Sequence, residues 1–140
     1  MSLPVLVDRV FLGDVTINRS LTVTGDLLAP QLVTEEIDDP GDAGAIPVTS
    51  SGSCMLTSGG SGETRTLAIP AFVGQRLNIG FDTDGGGDIV ITVAQPVNQT
   101  GNNTLTGQDA GDHISLEAIT VGGAYRWRVL ANDGFGLTTV

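Results

Sequence analysis

The chain has 140 residues, a mass of 14.4 kDa, sixteen acids against six bases and a net charge of −10. All six bases are Arg and Lys is absent. That charge repels phosphate backbones, the 40% hydrophobic and 16% charged content opposes disorder, and no apolar run reaches the ~20 residues of a membrane-spanning helix.

The first third alternates with a period of two. Val5 and Val7, then Val10, then Val15, Ile17, Leu21 and Val23 repeat as apolar positions. In Asp14–Thr24 the intervening positions are Thr, Asn and Ser, and β-branched Val, Ile and Thr favour extended backbone. The start, Met1 to Asp8, has no basic region and no long apolar core, so no signal peptide is expected. Residues 1–40 are read as an extended β arm whose apolar face needs a partner, because an isolated strand pair is marginal in water.

Residues 41–62 are rich in Gly, Ser, Pro and acids, with one apolar stretch at Cys54-Met55-Leu56. They are read as a connection. Residues 63–140 are read as a β domain. Thr64–Ile69 alternates, Leu77, Ile79 and Phe81 share a face, and so do Ile89, Ile91 and Val93. The loop Asp82–Asp88 between the last two sets reads as a hairpin turn. Ile114, Leu116 and Ala118 have one parity and Ile119 and Val121 the other, which predicts a bulge near Ala118. Tyr125, Trp127 and Val129 face away from Arg126 and Arg128, and both aromatics are expected in the core. The fold class expected is all-β: an N-terminal extended β arm, then an antiparallel β-sandwich or barrel domain. No internal repeat is visible.

Catalytic chemistry is poorly supplied, and no enzyme is expected. His113 is the single His and opens a strand. Cys54 is the single Cys, so it forms no internal disulfide, and it reads as a small buried hydrophobe. No zinc cluster, Walker loop or dinucleotide loop is present in the sequence, and no cofactor is expected. Asp82, Asp84 and Asp88 space oxygen ligands as a calcium loop does, but the acid at its twelfth position is replaced by Val93. A solvated turn is the preferred reading over a metal site. Arg126 and Arg128 point to one side of a strand and either meet an acidic partner surface or pair with the chain's own acids.

The segments Glu63–Pro70, Val73–Leu77 and Asp84–Val93, with Ala110–Asp112, Trp127–Leu130 and Ala131–Gly134, resemble a β domain of bacteriophage structural proteins. Asn18–Val33 (NRSLTVTGDLLAPQLV) resembles stretches of trimeric phage fibres and particle-surface proteins. The resemblance implies a virion component: a capsid decoration, or cement, protein, homotrimeric on the outer capsid surface. Its partners would be further copies of itself and the major capsid protein, with no nucleic acid and no membrane. Contacts to the shell or between subunits would fall on the arm (Val5, Val7, Val10, Val15, Ile17, Leu21 and Val23) and on Arg126 and Arg128. The alternatives are a head-fibre, tail or baseplate component binding a host surface, or a small carbohydrate-binding or adhesion module.

Overall fold

The computed structural model describes Thr22, residues 34–99 and residues 101–139. Residues 33–140 form one compact unit. Its described part contains ten strands and a single 3-10 turn at Val97–Gln99. The strands are β1 (Glu35–Ile37), β2 (Gly44–Ile46), β3 (Gly52–Thr57), β4 (Glu63–Leu67), β5 (Arg76–Thr83), β6 (Ile89–Val93), β7 (Thr104–Gly107), β8 (His113–Val121), β9 (Ala124–Asp133) and β10 (Gly136–Thr138).

They build two five-stranded sheets, in the orders β1-β3-β5-β8-β9 and β10-β7-β6-β4-β2. From β1 to β6 the chain visits the two sheets in strict alternation. Within each sheet the successive visits pair in parallel: β1 with β3 and β3 with β5, β2 with β4 and β4 with β6. Three turns of a flattened coil are thus stacked on one another, each contributing one strand to each sheet. The chain then changes habit. β7, β8, β9 and β10 add antiparallel strands on one side of the stack.

The sheets are therefore mixed rather than antiparallel, and they face each other without closing into a barrel. Asp82–Asp88 is not a hairpin turn, because β5 and β6 belong to different sheets. It is a corner between the two layers. The stretch 41–62, expected as a connection, supplies β2 and β3, which are integral to the coil. The repeat escapes a sequence search because the coil turns are unequal. Glu35 stands opposite Gly52, and Gly52 opposite Leu77, so the second turn is longer than the first.

Alternation places the core. Cross-strand neighbours Ile37, Cys54, Ile79 and Ile114 form one buried row across the first sheet. Ile46, Leu67 and Val93 form a row across the second, and Ile91 and Leu105 pair in another. Full burial of each such side chain contributes roughly 1.5–3 kcal/mol before ordering costs. Trp127 closes the core from β9, 1% exposed, with its indole N–H donated to the Ala68 carbonyl at 2.8 Å. Tyr125, expected beside it, is 38% exposed. It lies beyond the end of β5, where β8 and β9 pair only with each other.

The expected bulge is displaced. The register shift falls between Ser115 and Leu116, where Leu130 is the extra residue on β9. Ile114, Leu116 and Ala118 keep one inward parity, and Ile119 and Val121 lie on the outer face, half-buried. At the hairpin tip Gly122 and Gly123 both have positive φ, 58° and 82°, as a two-residue turn matching the strand twist requires.

Candidate functional site

Three corners of the coil, near residues 38–43, 58–62 and 84–88, lie one above another and are tied together. Ser58 donates its amide to the Thr83 carbonyl at 2.9 Å, and Gly85 donates its own to Ser58 at 3.1 Å. Glu63 donates to the Asp88 carbonyl at 2.9 Å, and Ala43 to that of Thr64 at 2.8 Å. A side chain on Gly85 or Gly87 would collide with the backbone of Gly59 or Ser61. The glycines are there to let backbone lie on backbone.

Arg65 sits in this stack, inward-facing and fully buried. Its Nε and Nη2 reach Asp39 at 2.8 and 3.1 Å, Nη2 also reaches Glu63 at 2.9 Å and the Thr57 carbonyl at 3.2 Å, and Nη1 reaches its neighbour's carbonyl at 3.0 Å. Asp39 in turn accepts the amides of Thr57 and Gly41. Burial pushes the Asp39 carboxyl up. The Arg65 guanidinium and the two amides pull it down further, and the net lies below the usual carboxylate value. Asp42 is likewise lowered, chiefly by the Thr64 amide. The hydrogen bond to Asp39 holds the Arg65 guanidinium firmly charged.

The aspartates singled out in the sequence are engaged separately. Asp84 accepts from the Gly86 amide at 2.7 Å and from Ser58 Oγ at 3.4 Å, Asp82 from Thr83 Oγ1 at 3.0 Å, and Asp88 from Gln108 at 3.4 Å. Among the described residues no group of three or more His, Cys, Asp or Glu side chains converges as metal ligands would.

Cys54 is buried, as its setting suggested, and burial, with the nearby Asp39 charge, pushes its thiol up to about 11. His113 opens β8, half-buried. The arm positions Val5, Val7, Val10, Val15, Ile17, Leu21 and Val23 lie outside the described residues.

Arg126 and Arg128 do point to one side, the outer face of the first sheet, on its last strand. Among the described residues neither has a carboxylate within ion-pair distance. Glu117, opposite Arg128 in register, instead reaches Arg76 at 3.4 Å. Arg126 Nε is shut off from water without a hydrogen-bond partner among the described residues. Among the described residues these two are the arginines with no ion-pair partner.

A second surface feature was not singled out in the sequence. The loop between β4 and β5 carries Ile69, Phe72 and Val73 outward, the last two 44% and 56% exposed. Gln75, buried at its base, fixes the loop by accepting the Ala71 amide at 2.8 Å and donating to the Val48 and Ser50 carbonyls. Gly74 donates to the Ala118 carbonyl, and Ala68 accepts from Trp127, so the loop is pinned against the β8–β9 hairpin that carries Tyr125. The signal available in the sequence was an apolar run, Ala68-Ile-Pro-Ala-Phe-Val73, too short for a strand pair and interrupted by Pro70. Among the described residues no pocket opens beside either feature. No family model matches the chain, and comparison with curated proteins finds no match.

Proposed function

We propose that this chain is a virion structural protein, a capsid decoration protein that sits as a homotrimer on the outer shell and bridges neighbouring major capsid subunits. It works by binding and does no catalysis. The observation that carries the reading is the rigidly held apolar loop, Ile69, Phe72 and Val73, beside the Tyr125 hairpin. A monomeric body with its core already filled gains nothing from presenting these side chains to water, so they serve an interface. The resemblance of about residues 45–140 to phage structural β domains supports the same role. Burial at such a contact contributes roughly 25 cal/mol per Å² of apolar surface, reduced by ordering costs, and many copies on one shell would sum it.

Electron microscopy of the source particle tests this directly. Density for this fold on the capsid exterior is expected, and a shell without it defeats the reading. Phe72→Ser with Val73→Ser should lower occupancy on the shell while leaving the thermal melt of the free protein nearly unchanged.

A further inference from the structure

The first sheet ends in opposite charges. One outer strand, β1, presents Glu36 on the outer face, exposed, while Glu35 shares the inward parity of Ile37 and accepts a hydrogen bond from Ser50 Oγ. The other outer strand, β9, presents Arg126 and Arg128. Glu36 is in register with Ser53 and so with Asn78 and Ser115 of the outer face, the face from which both arginines project. Three strands, β3, β5 and β8, stand between the two edges. At about 4.8 Å per strand the edges are roughly 19 Å apart, so no chain can join its own acidic edge to its own basic one.

We propose that the partner of the β9 edge is the β1 edge of a second copy of this chain. The contact is head-to-tail: Arg126 and Arg128 of one copy lie against Glu36 of the next. Such a contact uses two different patches on each subunit, and when its rotation closes it generates a ring. The inference rests on the homotrimer reading above and names the subunit contact within it. The contact is between side chains rather than a continued backbone ladder. The Val129 amide on the β9 edge is already donated to Asn98 Oδ1 at 2.8 Å, which blocks the edge at that point. Desolvating Arg126 and Arg128 against carboxylates also supplies acceptors that neither finds within its own described chain.

The test is the solution mass of the full chain by analytical ultracentrifugation. At about 50 mM NaCl the mass should be three times 14.4 kDa, and it should fall toward 14.4 kDa as salt approaches about 1 M, because exposed ion pairs are screened. Arg126→Glu with Arg128→Glu should give the single-chain mass, and so should Glu36→Arg. The chain carrying all three changes has the charges exchanged at both edges and should regain the trimer. A folded single-edge variant that keeps the wild-type mass, or a folded triple variant that stays monomeric, overturns the proposal. The salt titration needs no variant, so a mass unaffected by salt overturns it as well. Particle binding is read separately. Shells that carry a salt-insensitive trimer defeat this contact and leave the decoration role standing, whereas shells that lack the protein defeat that role.

Discussion

The Arg65 guanidinium holds both carboxylate oxygens of Asp39, Nε to Oδ1 at 2.8 Å and Nη2 to Oδ2 at 3.1 Å, across 26 positions of sequence. The pair joins the first corner of the coil to the second turn's strand. Glu63 and the Thr57 and Thr64 carbonyls complete the set of acceptors. Arg65→Leu leaves these acceptors facing an apolar side chain. A loss of about 2–4 kcal/mol is expected, because removing one partner of a buried pair leaves the other uncompensated. Urea denaturation checks it. Arg65→Lys should recover only part, since an ammonium cannot grip two oxygens side by side.

Acid should release the same tie. Asp39's folded pKa lies below its ordinary value, so the unfolded chain binds its proton first as pH falls. The stability it contributes is full above the ordinary carboxylate pKa and is lost as pH drops through the folded value, below about 4. Asp39→Asn should be less stable at pH 7 and should flatten the acid side of the stability profile. An unchanged acid slope in that variant would count against the ion pair as the corner's main tie.

Two glycines separate steric stacking from backbone strain. A methyl group on Gly87 would press on the Ser61 carbonyl and lie 2.8 Å from the Gly62 amide nitrogen, backbone that cannot step aside. Gly41 has a φ of 77° and open space around it. Gly87→Ala should cost about 2–4 kcal/mol. Gly41→Ala should cost roughly 1 kcal/mol from strain alone. Thermal melts of the two variants should therefore differ clearly, with Gly87→Ala the less stable.

Cys54 should be inert while the protein is folded. With its thiol pushed up to about 11 and the side chain shut from solvent, the thiolate is a fraction of about one in a thousand at pH 8. Ellman's reagent should report no reaction in native buffer and one thiol per chain in urea. Fast native labelling would show that the row Ile37-Cys54-Ile79 opens locally.

Trp127 gives an intrinsic probe of the core. Its buried ring and its bond to Ala68 predict a blue-shifted emission that glycans and acrylamide barely quench. Trp127→Phe should cost about 1–3 kcal/mol through the lost hydrogen bond and the space left behind. Strong quenching by a glycan would instead favour a sugar platform on this strand.

Strand faces were legible because alternation is local. Leu77, Ile79 and Phe81, Ile89, Ile91 and Val93, and Ile114, Leu116 and Ala118 all point inward as their spacing indicates. Sheet membership was not. A Gly-rich loop between two alternating runs suits a hairpin equally well as a corner, and the choice for Asp82–Asp88 is made by its stacking on Ser58–Gly62, a contact between distant segments. β1 and β2 have three residues each, with one buried anchor apiece in Ile37 and Ile46, too few to display a period. Arg65 shares the parity of Leu67, but nothing within its own strand announces Asp39. Of the positions nominated for contact, Arg126 and Arg128 were placed together by their spacing in a strand. That neither has a carboxylate partner among the described residues depends on where Glu117 turns, which only the packed sheet decides.

The coil also sets where the chain enters and leaves. The described path starts at β1 and β2, the outer strands on one side of the stack, and finishes at β9 and β10, the outer strands on the other. Hydrogen bonds between neighbouring strands run along the line joining those sides. A pull applied between Glu35 and Thr138 would load the ladders end-on, one rung after another, instead of shearing many rungs at once. Such a body should peel open stepwise at low force along the stacking direction and resist far more along its strands, so it should bear load best when the tension on it runs parallel to β5.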